Sequence, residues 1–235
     1  MGSDYDSYVR TEWQMFIDNA ARSRESLDAV AGLSVRRVLD VGCGAGQELI
    51  PFATKLGAMC VGIDAASEVG MTGRELFADC APDARVRFAR ATAETLPFPE
   101  NSFDVTICRL ALPYTHNARC LRELARVLRP GGMLLLKIHH ARYYTRKFRE
   151  GLSSVQLLSA LHAARVLLAG SIYHVTGRQP RLRFPSRETF QTVSLLRREL
   201  ARCGLEIKEK MGDSNPLTPS FLILKREGVK QSART

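Results

Sequence analysis

The sequence has no apolar run long enough to span a bilayer, which excludes a chain built on membrane-spanning helices. Its opening, MGSDYDSYVRTEW, lacks the apolar core of a secretion signal. Asp6 stands where a myristoylation signal has Ser or Thr. Six cysteines lie scattered at positions 43, 60, 80, 108, 120 and 203, and no two form a CxxC pair. That spacing excludes a zinc ribbon and a disulfide scaffold, and suits reduced thiols in the cytoplasm. Acidic residues all but vanish from one stretch. Pro113 to Arg187 holds fourteen Lys and Arg against Glu123 and Glu150, a net +12 in a chain whose total is +10. Such a stretch is either a solvated face or a platform for an anionic partner: a phosphorylated or carboxylated small molecule, RNA, or an acidic membrane surface. Internal repeats and low-complexity segments are absent as well.

What is present is an alternation. Short β-type runs at Val35–Val41, Ala58–Ile63, Val86–Ala89, Phe103–Cys108 and Met133–Ile138 are separated by helical patterns at Gln47–Leu56, Ser67–Asp79 and Asn117–Leu128. Strands alternating with helices predict right-handed crossovers and a mostly parallel α/β sheet. A helical pattern precedes them, with Trp13, Phe16, Ile17 and Ala20 on one face. After His139 the alternation stops. A basic stretch, ARYYTRKFRE, leads into an apolar helix predicted over Leu152–Ile172. Ser186 is the expected N-cap of a last helix ending at Gly204. Two final strands, Leu205–Lys210 and Phe221–Lys225, are joined too closely for a helical crossover and are predicted antiparallel. The expected organisation is a helical cap over 1–34, a ligand-binding core over 35–138, a basic helical lid over 139–185, completion of the core over 186–227, and a disordered tail over 228–235.

The stretch VLDVGCGAGQ, Val38 to Gln47, carries the first functional signal. A dinucleotide fingerprint needs a third small residue where Gln47 stands. A Walker loop needs a Gly-Lys-Ser/Thr ending, which is absent. The pattern present is Asp40, Gly42, Gly44, Gly46. Glycines let the backbone approach a ligand closely, and the helix that follows offers free N–H groups to a carboxylate. Asp40, at the strand end, suits an ammonium. An amine with a carboxylate is an amino acid. Asp64 ends the second strand, where a carboxylate can accept the hydroxyls of a ribose. Amino acid plus ribose points to S-adenosylmethionine.

Four stretches, VLDVGCGAGQ, GID, ATAETLPFPENSFDV and LRELARVLRPGGMLLLK, together resemble the class I S-adenosylmethionine-dependent methyltransferases, in the broad group that includes quinone-ring and small-molecule enzymes. The resemblance implies a three-layer fold with a seven-stranded sheet in the order 3-2-1-4-5-7-6, strand 7 antiparallel. It implies S-adenosyl-L-methionine as methyl donor and S-adenosyl-L-homocysteine as product. Asp40, Gly42, Cys43 and Gly44 would line the methionine end, with Gly46 shaping the turn. Asp64 and Ala65 would meet the ribose, Thr92, Ala93 and Glu94 the adenine, and Arg109, at the end of strand 4, would also bind the cofactor. Thr92 replaces the family's usual Asp, so a charged acceptor for the adenine amine is missing.

The sulfonium methyl needs an aligned nucleophile and, for many acceptors, a base. His116, His139 and His140 are the candidates, since histidine titrates near neutral pH. Each is also an ordinary packing residue. Tyr114, Tyr143, Tyr144 and Trp13 are candidate walls for an acceptor. ALPY, at Ala111–Tyr114, lacks the polar residue that amino-group nucleobase methyltransferases place there. Lid residues Arg142, Arg146, Lys147, Arg149, Arg178, Arg181 and Arg183 offer charge to an anionic group. Three functions stay open: methylation of a small molecule, anionic or hydrophobic; methylation of RNA held on the basic lid; and cofactor binding without catalysis.

Overall fold

A computed structural model describes residues 2–66, 69–180 and 187–227. The centre is one seven-stranded sheet in the order β3-β2-β1-β4-β5-β7-β6. The strands are β1 (Arg37–Val41), β2 (Met59–Asp64), β3 (Val86–Arg90), β4 (Phe103–Arg109), β5 (Leu128–Lys137), β6 (Leu205–Lys210) and β7 (Ser220–Lys225). The strands from β3 to β5 pair in parallel, while β7 runs antiparallel to both β5 and β6. This is the arrangement expected from the sequence. Every residue of β4 is buried, as befits a central strand covered on both faces.

Helices cover the two faces. One layer holds α1 (Gly2–Ile17), α3 (Ile50–Lys55) and α4 (Val69–Cys80), with α2 (Ala20–Asp28) linking α1 to β1. Val38, Phe52, Phe77 and Ile107 form the core there. The other layer holds α5 (Asn117–Val127) and α8 (Val193–Arg202) over Leu39, Leu121, Leu124, Leu136 and Leu196. At the lower edge, buried Asp104 accepts the N–H groups of Arg36 and Arg37 at 2.6 and 2.8 Å and pairs with Arg129, fixing the start of β1 against β4 and β5.

Three boundaries differ from expectation. β5 starts at Leu128, not Met133: Gly131 (φ +74°) and Gly132 let the strand bulge through the expected turn, and a Cβ on Gly132 would lie 2.8 Å from Asp104 O. The lid is a pair of helices, α6 (Ala141–Ser153) and α7 (Leu157–Thr176), broken at Val155 with φ +57°. Leu152 therefore lies in the last turn of the first helix and does not open the second. Gly151 sits so close to Ala160 that a Cβ would lie 2.8 Å from its backbone N, so the hairpin is tightly crossed. The last helix is capped by Thr192, whose hydroxyl accepts the Leu195 N–H at 3.2 Å. Ser186, Arg181, Arg183 and the tail from 228 lie outside the described residues.

Candidate functional site

Strand order reverses between β1 and β4, and a crevice opens at the carboxyl ends of strands at such a point. Here it is a cavity of about 860 Å³ reaching from the end of β2 to the lid. The turn after β1 forms its floor. Gly42 and Cys43 donate their N–H groups to Ile63 O at 2.8 and 3.0 Å, which locks the turn onto β2. Gly44 takes φ +54°, and a Cβ there would meet nothing nearer than Gln47 Oε1 at 3.8 Å; that empty side faces the cavity. Gly46 differs: a Cβ would lie 2.8 Å from Phe88. It permits packing between layers and does not line the cavity.

Asp64 is held by backbone. Its Oδ2 accepts the Gly44 N–H at 3.3 Å and its Oδ1 the Ala66 N–H at 3.0 Å. Ala65, Thr92 and Ala93 continue this wall. Glu94 also borders the cavity, and its Oε1 accepts the His116 N–H at 2.7 Å, tying the wall to the start of α5. Burial pushes the Cys43 thiol up, so it is a lining atom and not a nucleophile.

Behind the turn lies a cluster of charge. Glu48 pairs with Arg22 and lies 3.0 Å from Arg109 Nε, without the alignment of a hydrogen bond. Arg109 also bonds Asp213, which pairs with Lys137 at 2.6 Å. Glu25 accepts the Asp213 N–H at 3.0 Å. Burial alone would raise the Asp213 carboxyl, but Arg109 and Lys137 outweigh it and hold its pKa below the ordinary value. Asp40 is 2% exposed, and burial together with Glu48 raises its carboxyl well above the usual range. Asp40 Oδ2, Glu48 Oε2 and Gln47 Oε1 are buried without hydrogen bonds. Three orphaned acceptors around one cavity are suited to an ammonium donor.

The opposite end is aromatic. Tyr143 stacks on His139, with ring centroids 4.2 Å apart and planes 2° from parallel. Tyr114 meets the same imidazole edge-on at 6.2 Å. Buried Tyr144 stands behind it: its hydroxyl is 3.1 Å from His139 Nδ1 and donates to Glu188 Oε1 at 2.5 Å. Glu188 Oε2 is 2.8 Å from His162 Nε2. Since the Tyr144 proton goes to Glu188, His139 Nδ1 carries the hydrogen and Nε2 keeps a lone pair. Burial, partly opposed by Glu188 and reinforced by Lys147, lowers the His139 pKa to about 4. The imidazole is thus neutral across the physiological range.

Several expected site residues fall elsewhere. Trp13 packs edge-to-face on Phe77 at 5.1 Å in the core, and Tyr8 and Glu12 present that helix to the cavity instead. His140 caps α6, its Nδ1 accepting the Arg142 N–H at 3.3 Å. His116 caps α5 without lining the cavity. Tyr144 lies behind the wall it was expected to form. Cavity residues not anticipated are Glu48, Arg22, Glu12 and Gln47. Nothing local in the sequence connects Glu188 and His162 to His139.

Residues 39–136 match the family described as Methyltransferase domain. The chain is 42% identical over 106 residues to the uncharacterized methyltransferase YcgJ of Bacillus subtilis, covering 45% of this chain and 41% of that protein. It is 39% identical over 103 residues to the ubiquinone/menaquinone biosynthesis C-methyltransferase UbiE of Pseudomonas savastanoi, covering 43% of this chain and 40% of that one. The matched stretch thus spans about two-fifths of these relatives' length. The crystal structure of Bacillus subtilis YcgJ superposes with a TM-score of 0.59 at 21% identity, covering 89% of this chain and 100% of that one.

Proposed function

We infer that this chain, which carries a class I Rossmann-like S-adenosylmethionine-dependent methyltransferase domain, transfers a methyl group to a planar, hydroxylated small molecule. One observation carries the reading: a single cavity joins orphaned acid oxygens beside a glycine turn to an aromatic wall holding a neutral imidazole. Kinship with a quinone-ring C-methyltransferase supports a ring acceptor. Six free cysteines suit a reducing cytoplasm, and no described helix is long and apolar enough to cross a membrane.

When bound, the donor supplies an electrophilic methyl on a sulfonium. The residues around the turn fit the rest of it. Asp40, Glu48 and Gln47 would accept its ammonium, and Arg22, whose Nε is buried without a partner, would meet its carboxylate. Asp64, Thr92 and Ala93 would hold ribose and adenine. At the other end Tyr114 and Tyr143 hold an acceptor ring, and His139 Nε2 takes the proton of its hydroxyl. This raises electron density on the ring carbon or oxygen that attacks. Burial keeps that nitrogen unprotonated, and Tyr144, its own proton committed to Glu188, holds the ring's hydrogen on Nδ1.

Calorimetry with S-adenosylhomocysteine, followed by product-release assays on phenols and hydroquinones, tests the reading. Tight binding with turnover of a ring substrate is expected. Preference for a nicotinamide dinucleotide, or turnover confined to RNA, would overturn it.

A further inference from the structure

Helix α7 is apolar on two sides, and only one is used. Its inner face carries the small residues Ala160, Ala163, Ala169 and Gly170, all buried. They allow close approach: a Cβ on Gly170 would lie 2.3 Å from Phe190. Its outer face carries Leu157, Leu161, Leu168, Ile172 and Val175, which recur at helical spacing. They are 61, 66, 62, 40 and 81% exposed. Leu158 and Val155, at 85 and 78%, widen the stripe at the hairpin turn. At the α-helical rise the stripe runs about 27 Å. A helix apolar all round belongs in an interior, and no described element covers this one.

The charge beside the stripe has one sign. On α6, Arg142, Arg146 and Arg149 are exposed and fall on one face at i, i+4 and i+7. Lys147 flanks them, and Arg178 follows the end of α7. Glu150 is the only acid between Ala141 and Arg178, and Arg146 holds it at 2.6 Å. Two copies joined through this face would bring like-charged rows together with no acid to offset them. A nucleic acid would want exposed aromatic rings for its bases, yet the exposed large hydrophobic side chains of the hairpin are all aliphatic.

We propose that the outer face of the α6–α7 hairpin seats on an anionic lipid bilayer. The leucine stripe enters the boundary between headgroups and acyl chains, and the arginines meet lipid phosphates. The helix lies along the surface and does not cross it. This holds whatever the cavity binds.

Flotation of the full chain tests it, with vesicles of phosphatidylcholine alone and with equal parts phosphatidylcholine and phosphatidylglycerol. The chain should float with the mixed vesicles at low salt, and at least tenfold less with the neutral ones. Replacing Leu161→Ser, Leu168→Ser and Val175→Ser together should lower binding by roughly a hundredfold or more, with the circular dichroism and melting midpoint unchanged, since all three side chains already face water. Arg142→Gln with Arg149→Gln should erase the preference for anionic vesicles. Failure of the wild-type chain to float, or flotation that survives the triple substitution, overturns the proposal. So does a dimer that the triple substitution dissociates, or an RNA complex that it leaves intact while vesicles are ignored.

Discussion

The two ends of the cavity are built on opposite plans. At the glycine turn the walls are largely backbone: Asp64 is aimed by the N–H groups of Gly44 and Ala66, and the turn is bolted to Ile63. At the lid the walls are side chains from distant segments, with His139, Tyr143, Tyr144 and Glu188 meeting only once α6 has folded over the sheet. The acid end is charged and has unfilled acceptors. The aromatic end packs ring on ring, and its buried carboxylate, Glu188, is bonded to Tyr144 and His162. On the function proposed above, affinity and turnover should separate: the first end should decide how tightly the donor is held, the second how fast the acceptor reacts.

The sharpest break comes from His139→Gln. Turnover should fall by roughly 10²–10³-fold while affinity for S-adenosylhomocysteine stays within about twofold, read by product release and calorimetry. Equal loss of both would dissolve the distinction between the ends. Asp64→Ala should do the reverse. Donor-product affinity should drop by about 1–3 kcal/mol, with the rate at saturating donor retained.

Asp40 sharpens the comparison through protons. Burial and Glu48 raise its pKa, which favours the protonated form in the empty site. An ammonium beside it favours the ionised form, so binding should release a proton and tighten as pH rises. Calorimetry in buffers of different ionisation heat measures this release, which Asp40→Asn should abolish.

His139 sets a pH boundary of its own. With its pKa near 4, the rate should hold down to about that pH and fall below it as Nε2 is protonated. An ordinary histidine would begin to lose activity near 6.5. The unfolded chain takes up this proton between pH 6.5 and about 4 while the folded one refuses it. Stability should therefore decline as pH falls across that window, and less so in His139→Gln. The smallest effect belongs to Tyr144→Phe, which leaves His139 buried. The acid limb should stay low while the rate drops by only about tenfold.

Legibility in the sequence followed the same division. The strands and the turn from Asp40 to Gly46 are readable because each is a local pattern with a physical meaning; the strand order followed only from the family resemblance. Glu48, two residues beyond Gly46, was readable in principle as an acid opening a helix after the turn. Asp213 was not, since its tie to Arg109 crosses 104 positions. Nor was the link from His139 through Glu188 to His162, made by three segments with no shared motif. Trp13 and Tyr8 share one helix, and helical spacing alone did not say which of them would turn inward. Ser186 fits the capping rule in sequence, yet Thr192 holds the cap of the last helix, which starts only at Val193.

The bond between Arg109 and Asp213 also has a temporal side. A ribosome delivers the motif-bearing residues first, yet the guanidinium beneath them gains this carboxylate only after the closing hairpin has been synthesised and has zipped onto β5. Until then Arg109 lacks one of its two carboxylate neighbours, so binding of the proposed donor should mature late during translation.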